Sequence, residues 1–164
     1  MNLFEVFRDT QLEKQKDRIY GVTIAVVTNN DDPEKLGRVK VKFPWLLDES
    51  ESTWARVAVL MAGNKRGTWF PPQIDDEVLV AFEHGDINRP IILGVMWNGK
   101  DTPPPGSNLN SIQITDKYGN AIALTDKKIT IDAGARDVEI KGKNITIAAT
   151  GTNTIKGQLV DINP

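Results

Sequence analysis

The chain contains no cysteine. That removes a disulfide framework and any thiolate metal site, and it leaves the redox compartment open. It has a single histidine, His84. A zinc centre or a histidine-activated nucleophile needs partners that a lone His84 beside Glu83 does not have, so a loop histidine is the simpler reading. Long apolar runs are also missing. The opening stretch "MNLFEVFRDTQLEKQKDRIY" is charged throughout and has no apolar core, so neither a Sec signal peptide nor a membrane span is expected. No charge of one sign dominates: 20 basic residues face 22 acidic ones, for a net charge of -2 at pH 7. Nothing in that balance draws the chain globally to nucleic acid or to an anionic membrane. Phosphate-cradling glycine loops, helical zinc-protease signatures and EF-hand spacing are absent too.

Aromatic residues are missing from one half. All four tryptophans and all five phenylalanines precede Gly106, together with most of the prolines, whereas residues 107–164 hold only Tyr118. Residues 1–106 carry 13 basic and 16 acidic groups; 107–164 carry 7 and 6 and are rich in Ile, Thr, Gly and Asn. The Pro run "DTPPPGS" between them reads as a stiff extended linker. The organisation expected is an N-terminal helical segment over 1–18, a β-domain over 19–100, a linker over 101–107 and a repetitive β-region over 108–164.

In residues 2–16, Leu3, Val6 and Phe7 have helical spacing, which predicts a short amphipathic helix. From Tyr20 the period becomes two. Five strands are expected, within 20–30, 36–46, 53–63, 77–85 and 89–99. In the second, Val39, Val41 and Phe43 alternate with Arg38, Lys40 and Lys42. No long helix separates the strands, so an antiparallel sheet is expected. An all-β Greek-key barrel of the OB type fits the count, as do SH3-like barrels and small sandwiches. The tryptophans are assigned to core or interface because large aromatics dominate burial in small barrels.

The last third repeats a simple unit. Aliphatic pairs two residues apart recur as Ile112/Ile114, Ile122/Leu124, Ile129/Ile131, Val138/Ile140, Ile145/Ile147 and Val160/Ile162, with a weaker strand near Ile155. Gly-containing breaks fall between them, and Gln113, Thr130, Glu139, Thr146 and Asp161 make the opposite face polar. Repeats bury an apolar face by stacking. Two inward aliphatics per rung are too few to offset the backbone entropy of ordering a lone ribbon. The expected solution is an intertwined trimeric triangular β-helix, a β-prism, with these aliphatics as its core. A meander packing back on the barrel would need longer strands and some aromatics.

The blocks "GRVKVKFPWL" (37–46), "WARVA" (54–58) and "GTWFPPQIDDEVLVAFEHGDINRPIILGVMWN" (67–98) occur in an order that resembles the OB domain of contractile-tail spikes, namely the phage baseplate assembly protein V family and the VgrG spikes. The match is imperfect: Asp75 stands where the family often has Gly, and Ile87 follows Gly85-Asp86 where it often has Pro. The resemblance implies a barrel, a linker and a trimeric needle. It implies a homotrimer that needs a separate baseplate hub protein, with Phe4, Phe7 and Trp69 as possible hub or inter-chain contacts. The blunt final rung, Val160, Ile162, Asn163 and Pro164, would serve as a platform for a PAAR-type tip protein. No His-x-His pair is present for a tip iron, so no metal or other cofactor is expected. The target cell envelope is the implied substrate of force. The resemblance also implies synthesis in a bacterial cytoplasm without a signal peptide and delivery outside the cell in an assembled particle.

Other chemistry is weakly signalled. Asp75-Asp76 and Glu49/Glu51 have the residue types of a glycosidase pair but lie in turns without an apolar pocket signature. The Arg38/Lys40/Lys42 stripe near Trp45 has the look of a nucleic-acid face, but the balanced charge favours a polar outer wall, and no nucleic-acid partner is expected. A non-enzymatic structural spike is therefore the leading expectation, with an OB-type nucleic-acid or oligosaccharide binder as the alternative and a cell-wall hydrolase fragment as a third.

Overall fold

The computed structural model describes residues 18–47 and 50–161. The expected N-terminal helix, with Phe4 and Phe7, lies outside the described residues, as do Glu49, Ile162, Asn163 and Pro164. The chain divides into two compact units, Met1–Pro103 and Pro104–Pro164.

Among its described residues the first unit is all β apart from one 3₁₀ turn. Its strands are β1 (Val22–Asn29), β2 (Lys40–Lys42), β3 (Arg56–Val57), β4 (Ala62–Gly63), β5 (Arg66–Gly67), β6 (Glu77–Phe82) and β7 (Pro90–Val95). Five of them form one sheet in the order β2-β1-β6-β7-β3. An antiparallel bridge, Val39 to Ala55, then joins the segment entering β2 to the segment entering β3. Val39 N donates to Ala55 O at 3.0 Å and Ala55 N to Val39 O at 2.7 Å, so the sheet closes into a barrel.

The expected antiparallel sheet is corrected at one seam: β3 runs parallel to β7, with Arg56 opposite Ile91 and Val57 opposite Ile92. Geometry demands it. A ring with an odd number of strands cannot alternate direction all the way round, so closing five strands leaves at least one parallel pair. Two bulges help so short a barrel to curve. Thr28 is the extra residue between Val27↔Val41 and Asn29↔Lys40, and Leu93 between Leu79↔Gly94 and Val80↔Ile92. The strand expected over 53–63 is also corrected. It stops after Val57, and the chain then folds into the β4–β5 hairpin, whose turn places Lys65 at φ 56°.

Ala25, Val27, Val39, Val41, Phe43, Ala55, Val78, Val80, Phe82 and Ile92 form the core. They are the inward positions of the period-two pattern, and Val39, Val41 and Phe43 point inward as their alternation requires. Phe43 and Phe82 meet with ring centroids 5.5 Å apart. The tryptophan expectation fails for the core: Trp45, Trp69 and Trp97 are exposed, and Trp54 is partly buried. A barrel this narrow is filled by Val, Ala, Ile92 and two Phe, leaving no room for indoles inside.

The second unit contains one antiparallel meander, β8 (Ile112–Thr115), β9 (Ala121–Leu124) and β10 (Ile129–Asp132), in the order β10-β9-β8. Asp116 builds the β8–β9 turn. Its carboxylate accepts from Tyr118 N at 2.8 Å, from Asn120 N at 2.9 Å and from Asn120 Nδ2 at 2.8 Å, while Gly119 takes φ 85°. Strands were also expected near Val138, Ile145, Ile155 and Val160. None forms among the described residues of the single chain, because a strand exists only against a hydrogen-bonded neighbour.

Ile92 is fully buried where the parallel seam meets the core. Ile92→Ala should destabilise the barrel by about 2–5 kcal/mol. Urea unfolding followed by tryptophan fluorescence checks this, since every tryptophan lies in the first unit.

Candidate functional site

The aliphatic residues singled out by the sequence fall into two sets. In the meander the register pairs Ile112 with Leu124 and Leu124 with Ile129. It likewise pairs Ile114 with Ile122 and Ile122 with Ile131. Opposed residues share a face, so six aliphatic side chains stand in two rows of three across one side of the sheet. That side is uncovered within the chain, from 38% exposure at Leu124 to 71% at Ile129. The second set, Val138, Ile140, Ile145, Ile147, Ile155 and Val160, is also exposed. Between residues 137 and 161 no described residue makes a backbone–backbone hydrogen bond to another described residue. The structure thus brings the first six predicted residues together and does not gather the second six within one chain.

The barrel adds a second apolar surface. A cavity of about 420 Å³ opens beside the β4–β5 hairpin, lined among others by Leu36, Val59, Met61, Trp69 and Phe70. Trp69 is 68% exposed, yet its ring lies across Gly37, whose φ is +74°. A Cβ at Gly37 would sit 2.5 Å from Trp69 Cζ3, so glycine is needed here both for the backbone and for the indole.

The loop carrying Gly37 is organised by a carboxylate that the sequence reading missed. Asp32 is 2% exposed. Its Oδ1 accepts from Glu34 N at 3.0 Å and Arg38 Nη2 at 2.8 Å. Its Oδ2 accepts from Leu36 N at 2.9 Å, Arg38 Nε at 3.0 Å and Arg38 N at 3.3 Å. The Arg38 guanidinium, aided by the amides and opposed by desolvation, holds the Asp32 carboxyl well below the usual carboxylate range. Arg38 is in turn held still further up its basic range, by Asp32 first and then Glu34. "DDPEKLGR" reads as a turn, and nothing in its spacing announces that one of its two aspartates is internal.

The remaining candidates are surface features. Lys40 pairs with Glu51 at 3.1 Å, which lowers the Glu51 pKa, and Arg38 pairs with Asp32 and Glu34, so these members of the expected basic stripe are already matched. Asp75 is exposed at φ 74°, while Asp76 accepts from Gln73 N at 2.7 Å, as turn residues do. His84 is exposed in the 3₁₀ turn Glu83–Gly85 at φ 53°, ψ 26°, with its carbonyl accepting from Arg18 Nη1 at 2.9 Å. No group of three or more His, Cys, Asp or Glu able to hold a metal ion exists among the described residues. No helix among them is long and apolar enough to cross a membrane.

Residues 23–97 match the type VI secretion system/phage-baseplate injector OB domain. The barrel belongs to that family. The injector OB domain occupies the closed five-stranded unit, and sequence relatives extend the likeness. The chain is 32% identical over 133 residues to the type VI secretion system spike protein VgrG5 of Pseudomonas aeruginosa, covering 71% of this chain and 17% of that protein. It is 39% identical over 109 residues to VgrG1a of the same organism, covering 58% of the chain and 17% of the relative. It is 37% identical over 97 residues to the actin cross-linking toxin VgrG1 of Vibrio cholerae, covering 54% of the chain and 9% of the relative. The chain therefore spans less than a fifth of the length of these injector OB relatives.

Two outcomes are expected at the Asp32 loop. Because the folded-state pKa of Asp32 is depressed, its contribution to stability is complete above the unfolded value of about 3.9 and is lost as pH falls through the folded value. Asp32→Asn should lower stability at pH 7 and flatten the fall of the urea midpoint below pH about 4, with the slope due to Glu51 and Asp116 remaining. Gly37→Ala should cost about 1–3 kcal/mol through the left-handed backbone alone and should shift tryptophan emission as Trp69 is displaced.

Proposed function

We propose that this chain is a subunit of a trimeric central spike in a contractile phage tail or phage-tail-like injection system. One observation carries the reading. Downstream of an injector OB barrel lies a stretch with a dozen exposed aliphatics and 25 residues, 137–161, without backbone partners among the described residues. Three copies wound together would satisfy both needs at once. The rows Ile112–Leu124–Ile129 and Ile114–Ile122–Ile131 would face the common axis, and Val138, Ile140, Ile145, Ile147, Ile155, Val160 and Ile162 would continue the core. Open strand edges would pair between chains.

In this reading residues 108–164 are the needle, 101–107 the linker, 19–100 the barrel and 1–18 an N-terminal segment. The role is mechanical and non-enzymatic. The needle transmits the force of contraction to the target envelope, and stiffness comes from full edge pairing around a dry core. Phe4, Phe7 and Trp69 would contact a hub protein or a neighbouring chain. Val160, Ile162, Asn163 and Pro164 would seat a PAAR-type tip protein. The particle would assemble in a bacterial cytoplasm and act outside the cell.

Multi-angle light scattering of the full chain should give a mass near three times 18.2 kDa. Ile131→Asp or Ile147→Asp should abolish the trimer, because each would bury three carboxylates around one axis at several kcal/mol apiece, an order-of-magnitude figure for unpaired buried charge. A monomer in the unsubstituted protein, or an unchanged trimer in Ile147→Asp, would refute the inward assignment.

A further inference from the structure

Apart from these surfaces, the β2–β3 side of the barrel carries a pocket of about 430 Å³ bordered by Leu36, Arg38, Trp54, Arg56, Arg89 and Pro90. Its charges are unevenly matched. Arg38 is bound by two carboxylates, Asp32 and Glu34, so its end of the pocket carries one negative charge in excess. Arg56 and Arg89 share one acceptor: both guanidiniums reach Glu83 Oε2, at 3.2 and 2.9 Å. One negative charge faces two positive ones, and the two arginine side chains stay 66% and 58% exposed. A guanidinium presents five N–H donors in a planar fork suited to both oxygens of a carboxylate. A single shared oxygen leaves most of both forks unused. Beside them the partly buried Trp54 ring has Lys40 Nζ 5.4 Å and Arg38 Cζ 5.9 Å from its centroid, which fixes it as a flat apolar floor. Leu36 and Pro90 extend that floor. In OB barrels generally this side of the sheet is where ligands bind.

We propose that this pocket docks an acidic side chain of a protein partner, carried next to an apolar side chain that packs on Trp54. The incoming carboxylate would complete a ring of two guanidiniums and two carboxylates with Glu83, and Glu83 is its internal competitor. A protein fits better than a nucleic acid. A phosphate backbone needs a run of unmatched cations, whereas Arg38 and Lys40 are each already bound to a carboxylate. The residues that border the pocket all lie within one barrel.

Fluorescence polarisation of a labelled Glu-Phe-Glu-Phe peptide against the full chain tests this. Saturable binding that weakens with salt is expected. The double reversal Arg56→Glu/Arg89→Glu should weaken it about tenfold or more, Trp54→Ala should weaken it, and Glu83→Gln should tighten it several-fold, with circular dichroism confirming that each variant is folded. Absence of peptide binding, an unchanged affinity in the double reversal, or weaker binding in Glu83→Gln would overturn the proposal. So would tighter binding of a twelve-nucleotide single-stranded DNA at the same salt, which would assign the pocket to nucleic acid instead.

Discussion

Backbone amides and carbonyls along the edge of a strand have to be bonded by something. In the barrel the chain does this for itself. The Val39–Ala55 bridge and the parallel β3–β7 seam join the two ends of a five-stranded sheet into a ring. In the second unit the same requirement goes unmet within one chain. The meander ends in two open edges, β8 and β10, and the residues beyond it run on without backbone partners among those described. The contrast between a closed ring and an open ribbon is what makes the first unit self-sufficient and makes the second one a candidate for association.

Closure also explains what fills the barrel and what is left outside it. A ring of five short strands encloses little volume, so Val, Ala and Ile supply the interior, and Phe43 and Phe82 are the largest side chains admitted. The indoles move outward, where they shape surfaces. Trp69 lies on Gly37 and walls the hairpin cavity, while Trp54 floors the arginine pocket. Asp32 links these two regions. By holding the amides of Leu36 and Arg38 it sets the loop on which Gly37 receives Trp69, and it occupies the arginine that borders the other pocket.

The likeness to injector spikes fits this division of labour. The family match covers the barrel, residues 23–97, and the 71% share aligned with VgrG5 is larger than that span. A self-closed barrel can be grafted between other parts without changing its own packing. The repetitive stretch that follows has a different character: its aliphatic residues stay exposed within one chain.

Much of this was legible in the residues. Alternation set the inward face of β2 as Val39, Val41 and Phe43, and the pairs at 112/114, 122/124 and 129/131 located the three strands of the meander and their shared face. The loss of aromatics after Gly106 separated two kinds of packing, and the Pro run lies where the two units divide. These features follow from local periodicity, which one strand carries by itself. What the sequence could not express was anything that depends on segments distant in the chain. The parallel seam follows from closing an odd ring. The break after Val57 and the β4–β5 hairpin follow from what the closed barrel has room for. The outward tryptophans follow from its narrow bore. The burial of Asp32 rather than its neighbour Asp31 depends on where Arg38 arrives once β2 has paired, and the convergence of Arg56 and Arg89 on Glu83 depends on β3 and β7 meeting side by side. Periodicity is a property of neighbours along the chain; which strand lies beside which, and how much space remains between them, is decided only when the ring closes.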